Sequence, residues 1–148
     1  MKHLQNERGQ SLVELAISIL ILVYLLSGAV EFGLAFFQYV QLRDAAQEGA
    51  LYGSMNPPLS ASDTTNITAI QNRAKAASDR PIDLIANPSV VVGVAVTDGQ
   101  YCEGGSLQVT VSYDHQIFMP FIPEFIGDTK IPLVATVTDT ILSPICGP

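Results

Sequence analysis

The sequence predicts an α+β protein in which a long N-terminal transmembrane α-helix is followed by a small head holding one short helix and a three-stranded antiparallel sheet. Three observations predict it. From Leu15 to Val30 there is no charge and no proline, and Leu, Ile and Val occupy every face. Such a segment is buried all round, in lipid or among other helices. From Ile67 to Ala77, apolar residues recur at helical spacing. Beyond Val90, three stretches alternate apolar and polar residues or run in valine, which is the pattern of strands with one buried face.

The long helix comes first. At about 1.5 Å per residue, Leu15 to Val30 covers about 24 Å, short of a hydrocarbon core of about 30 Å, so the flanks must take part. Both flanks carry carboxylates, Glu14 and Glu31. A carboxylate at mid-membrane costs about 2.5 to 3.5 kcal/mol and less near an end, so each needs a partner or water. Glu14 is either hydrated at headgroup level or paired with a cation. Phe32 to Leu42 is again uncharged and Arg43 to Ser54 is rich in Ala, Gln, Leu and Glu, so the helix continues until Asn56-Pro57-Pro58 ends it. Glu31 lies about a quarter-turn from Glu14, so the two cannot share one partner. It reads as a wet glutamate at the outer membrane edge or as a second specific ion pair. Gly28, Gly33 and Gly49 weaken the helix but let neighbours approach closely.

Lys2 and Arg8, with His3 nearby, precede the span against Glu7 alone, and the part after it is acidic. This favours a cytoplasmic N-terminus and an extracytoplasmic head. An ordinary secretory leader cut after Ser27-Gly28-Ala29 is the competing reading; it would discard Glu14 and start a soluble domain at Val30.

Ser60 to Asn66 reads as a loop with helix-start chemistry, and Asp79-Arg80-Pro81 as the stop of the short helix. Asn66-Ile67-Thr68 matches a glycosylation sequon by chance. The strands are Val90 to Thr97, Leu107 to Tyr113 and Ile131 to Val137, with Asp98-Gly99 opening the first connection. The second connection, Gln116 to Lys130, is rich in Ile, Phe and Pro; it is expected to plug the core, the alternative being a loop that faces a subunit or touches the membrane. In an up-down-up meander, Cys102 and Cys146 lie at the same end, so outside the cytoplasm they can form a disulfide; two unpaired thiols are the alternative. Two cysteines with no histidine at ligand spacing do not suggest zinc.

The 148 residues are 48% hydrophobic and 14% charged, with net charge -7. This is too apolar for disorder and suits an anchored globular protein. No Lys/Arg cluster is available for nucleic acid. Nothing marks an enzyme or a cofactor site: His115 follows a strand without a nucleophile motif and reads as a surface histidine, and Asp98 and Glu103 lack the oxygen spacing of a calcium loop.

A glycine, four residues, then a glutamate at the head of an apolar helix, here Gly9 and Glu14, resembles the class III leader site of type IV pilin-like proteins. The resemblance implies cleavage by a prepilin peptidase between Gly9 and Gln10, which leaves Glu14 at the fifth mature position. The new α-amino group at Gln10 is then the missing cation, and the family's role for Glu14 is to pair with the amino terminus of a neighbouring subunit. Gln10 stands where the family has phenylalanine, and an N-terminal glutamine can cyclise and lose its charge. Val30-Glu31-Phe32-Gly33 with Ala35-Phe36, and then Asp44-Ala45-Ala46-Gln47-Glu48-Gly49-Ala50-Leu51-Tyr52-Gly53, resemble the TadE-like family of tight-adherence pilus proteins. That likeness implies a pilin-like fold with a leader over 1–9, a transmembrane and assembly helix over 10–54 and an extracytoplasmic α+β head over 55–148. It implies a minor pilin or pseudopilin in the bacterial cytoplasmic membrane, with Glu14 and Glu31 in subunit assembly. Its partners would be other pilin subunits, prepilin peptidase, the inner-membrane assembly platform and the lipid bilayer. Two other functions remain open: an anchored extracytoplasmic adhesin that does not polymerise, and a soluble protein released by signal peptidase.

Overall fold

A computed structural model describes residues 6–119 and 122–144 of the chain. The apolar N-terminal pattern is realised as one helix, α1, Asn6–Met55, of 50 residues. It ends where expected: the Asn56 N–H closes on the Tyr52 carbonyl at 3.0 Å and Pro57-Pro58 cannot continue the helix. The short helix, α2, is Thr64–Lys75. Asp63 caps it by accepting the Asn66 N–H, which satisfies one of the donors a first turn leaves unpaired. It stops at Ala76, before the expected Asp79-Arg80-Pro81. Strands β1 (Val91–Val96), β2 (Ser106–Gln116) and β3 (Lys130–Thr140) form a sheet in sequence order, with a one-turn helix α3, Ile122–Ile126, between β2 and β3.

The sheet is the expected antiparallel meander. Between β1 and β2, the pairs Val92↔Val111, Val94↔Val109 and Val96↔Leu107 share one face, and Gly93↔Thr110 and Ala95↔Gln108 the other. Between β2 and β3, the Thr110 and Thr136 hydroxyls meet at 3.0 Å and Gln108 donates to Thr138 at 3.4 Å. Since side chains alternate along a strand, these contacts assign the Thr-rich side to solvent and the valines to the core.

The chain divides into two compact units. One runs from Ala35 to His115 and resumes at Ile131. Its core joins Leu42, Ala45, Ala46 and Ala50 of α1 to Ile70 and Ala74 of α2 and to Val92, Leu107, Val109, Val111 and Ala135 of the sheet. Each fully buried Leu, Ile or Val contributes about 1.5 to 3 kcal/mol. Close packing here depends on two glycines. A Cβ on Gly49 would come within 2.9 Å of the Ala74 Cβ and 3.2 Å of Val109 Cγ1, and one on Gly53 would overlap Leu107 Cδ2. Gln41, buried in α1, holds the loop after α2 at two points: its Nε2 donates to the Ile82 carbonyl at 2.7 Å and its Oε1 accepts the Ile82 N–H at 2.9 Å. At the far end, the Leu142 N–H donates to the Ser54 carbonyl at 2.8 Å, satisfying an acceptor that the last turn of α1 leaves open.

The other unit comprises α1 up to Leu34 and the segment Gln116–Lys130. The expectation that this segment plugs the core is corrected. None of its described side chains belongs to the core, and Phe118 and Ile126 are exposed at 70% and 54%. The reason is local. The Ile117 N–H donates to the Thr129 carbonyl at 3.1 Å, which closes the segment into its own hairpin, and Gly127, at φ +78, takes the left-handed turn that ends α3.

Candidate functional site

The residues singled out at the N-terminus all lie on α1. Gly9 and Gln10 are helical in the intact chain, and the space around Gly9 is open. Glu14 is one turn on from Gln10, and the Gln10 amide donates to its carboxylate at 3.4 Å, while Ser18 Oγ donates to its backbone carbonyl at 2.8 Å. The Glu14 side chain is exposed and, among the described residues, no cationic group is paired with it. From Leu12 to Leu26 the large apolar side chains are exposed on every side of the helix. The helix from Gly9 on is long and apolar enough to cross a membrane.

Glu31 is not the wet glutamate that was one of its two readings. It is 3% exposed, and its carboxylate accepts the Phe118 N–H at 3.2 Å and the Met119 N–H at 3.0 Å. Charge-assisted bonds of this kind from backbone donors favour the ionised form of a buried carboxylate and offset part of its desolvation. Glu14 and Glu31 are thus not brought together, and they differ in surroundings.

His115 is likewise corrected from surface to interior. It is fully buried, with Nδ1 donating to the Gln38 Oε1 at 2.6 Å. The signal was present in the sequence, since His115 continues the inward alternation of Leu107, Val109, Val111 and Tyr113; the residue type, more often exposed, hid it. Gln38 and Gln41, three residues apart on α1, use their amides in the same way, one toward a side chain and one toward a backbone.

The block from Asp44 to Gly53 proves to be a packing face. Ala45, Ala46, Gly49, Ala50 and Gly53 are buried, Asp44, Gln47 and Leu51 are exposed, and Glu48 is ion-paired with Arg73 of α2. With both partners partly exposed, that pair contributes at most about 1 kcal/mol.

Asp98 builds the β1–β2 connection. Its two carboxylate oxygens accept the N–H groups of Gln100 at 3.0 Å and Ser106 at 2.8 Å, and the Gln100 bond above all holds its carboxyl below the usual aspartate range. Both oxygens are therefore occupied by the turn itself. Cys102 lies half-buried in this connection. Its expected partner Cys146 lies outside the described residues.

Neither the curated proteins nor the solved structures contain a match to the chain. A family model does match, and it covers α1 rather than the sheet. The family implies a role in tight-adherence pilus assembly. The match runs from the Gly9 step through the small-residue packing face: residues 9–51 are similar to the TadE-like protein family.

Proposed function

We propose that this protein is a minor pilin or pseudopilin of a tight-adherence, type IVb-like pilus, a structural component rather than an enzyme. Prepilin peptidase cuts it between Gly9 and Gln10, and α1 holds it as a single pass in the bacterial cytoplasmic membrane with 55–148 outside. It serves pilus biogenesis, and through it surface adhesion and biofilm formation. The observation that carries this reading is the TadE-like match, which begins at Gly9 itself.

The mechanism follows from the residues at the helix start. Cleavage creates an α-amino group at Gln10 that is largely cationic near neutral pH, with a pKa of about 7.7 to 8. Glu14 is exposed and is already within reach of the Gln10 side chain. Between apolar helices, a carboxylate and an ammonium from two subunits stabilise each other more than in water, and an unpaired Glu14 is penalised. Pairing of subunits through Glu14, with the apolar helices packed side by side, extends the assembly from the inner-membrane platform.

A Cys102–Cys146 disulfide belongs to the same proposal. Backbone bonds from Gly104 N–H to the Ile141 carbonyl at 3.0 Å and from Ile141 N–H to the Gly105 carbonyl at 2.7 Å hold the cysteine loop beside the exit of β3. Five further residues give the chain a reach of about 16 Å to close the bridge, which typically stabilises by about 2 to 4 kcal/mol.

The test is an intact mass with N-terminal mapping of membrane-extracted protein, together with Glu14→Ala in the native host. A chain starting at Gln10, and loss of pili with the protein still in the membrane, are the expected results. A chain starting at Val30 would end the pilin reading. Normal pili in the Glu14→Ala strain would leave an anchored binding protein that does not polymerise.

A further inference from the structure

None of the described side chains from Ile117 to Ile126 belongs to the core, yet the segment is bonded to α1. The Phe118 and Met119 N–H groups both reach the Glu31 carboxylate, at 3.2 and 3.0 Å, and Glu31 is almost fully buried beneath them. Sixteen residues of helix separate Leu15, where the charge-free run begins, from Glu31, a rise of about 24 Å. A bilayer core of about 30 Å that begins near Leu15 therefore ends within a turn or so of Glu31. Non-helical backbone at that level is tolerated only where its polar groups are satisfied, and the Glu31 carboxylate satisfies these two.

The side chains of the hairpin are sorted for such a place. Phe118 is 70% exposed and Ile126 54%. In α3, Ile122 and Ile126 are one turn apart and share a face, while Glu124 lies on the opposite one. Asp128 and Lys130 stand at the neck, where Asp128 Oδ1 accepts the Thr129 and Lys130 N–H groups at 2.6 and 3.2 Å. On α1, Phe32 is exposed at 73% one residue beyond Glu31, and aromatic residues gather at the boundary between lipid and water.

We propose that the hairpin is a second membrane-contacting element. It lies in the interfacial layer of the bilayer where α1 leaves it, with Phe118, Ile122 and Ile126 against lipid and Glu31 as the residue that moors it to the helix. The proposal rests on the reading of α1 as a membrane span. Continuity with that span names lipid as the occupant rather than another protein.

The chain contains no tryptophan, so single replacements report their own surroundings. Full-length Phe118→Trp, Leu26→Trp and Val91→Trp would be placed in two sets of phosphatidylcholine nanodiscs, with acyl chains brominated near the headgroup in one and near the chain end in the other, the second set reaching the depth of Leu26. Acrylamide would serve as the water-side quencher. Leu26 lies within the span and Val91 is exposed on the sheet. Phe118→Trp should be quenched by the brominated lipid at least about twofold more than Val91→Trp, as an interfacial aromatic is, and should be protected from acrylamide. Adding Glu31→Ala should return it toward the Val91→Trp behaviour. If Leu26→Trp is quenched but Phe118→Trp is open to acrylamide, the span stands and the hairpin proposal fails. If Leu26→Trp is not quenched, the span itself fails. Protection of Phe118→Trp from both quenchers that grows with protein-to-lipid ratio would identify a neighbouring subunit as the occupant and overturn the lipid assignment.

Discussion

The two halves of α1 are made from one continuous helix and nearly one alphabet, yet they are addressed to different surroundings. Between Leu12 and Leu26, large apolar residues are exposed on all sides, Leu25 at 66%. Between Leu42 and Ser54, the inward positions are small or fully buried, Leu42 at 0%, with Arg43, Asp44 and Gln47 on the other side. What separates the halves is the sorting of residue size and charge by face rather than how apolar they are. A helix with no preferred face is written for lipid or for other helices, and a helix with a stripe of Ala and Gly is written for a sheet that comes close.

The contrast can be broken by equal cuts in both halves. Leu42→Ala should destabilise the unit containing the sheet by about 2 to 5 kcal/mol, the cost of a cavity in a tight core. Leu25→Ala should leave the same transition within about 0.5 kcal/mol of the parent. Denaturant titration of the detergent-solubilised full chain, followed by the sheet signal in circular dichroism, measures both. Similar losses at the two positions would erase the distinction. Additions should be as asymmetric. Gly49→Leu drives a side chain into Ala74 and Val109 and should cost about 1 to 3 kcal/mol, whereas Gly28→Leu, with nothing within 4 Å of its Cβ position, should not lower the melting temperature.

The smallest expected effect sharpens the outer edge of the packed unit. The N–H groups of Leu59 and Asn66, in that order, hold the Asp63 carboxyl below the usual aspartate range. In the unfolded chain it titrates at about 3.9. Its contribution is therefore complete above that pH and is lost as pH falls through the lower folded value. The stability gap between parent and Asp63→Asn should be constant near neutrality and narrow in acid. A gap that widened in acid would contradict the assigned bonds.

These effects also mark what the sequence made legible. A run of valines located β1, and alternation located β2 and β3 and assigned the buried face of β2, because period-two patterning is imposed directly by the pleat. Missing charge revealed α1, and Asn56-Pro57-Pro58 its end. The Ile- and Phe-rich 116–130 stretch was misread because composition reports only that a segment avoids water, and a core and a boundary beside a helix satisfy that equally. Glu31 could not be read as buried, since the donors that satisfy it come from Phe118 and Met119, more than eighty residues away. His115 was misread for a simpler reason: residue type was weighed above the register it continued. The Gly9 and Glu14 pattern was visible in the sequence because it is a spacing along one helix.

The bond from Leu142 to Ser54 has a consequence for the order of events during synthesis. The inward face of α1 is completed by β2 and by Ile141, and its Ser54 carbonyl is bonded by Leu142. These partners are made tens of residues later, so the domain cannot form as it emerges from the ribosome and must wait for nearly the whole chain. The apolar first half of α1 has no such dependence. That half is therefore available to lipid or to other helices while the rest of the chain is still unfolded.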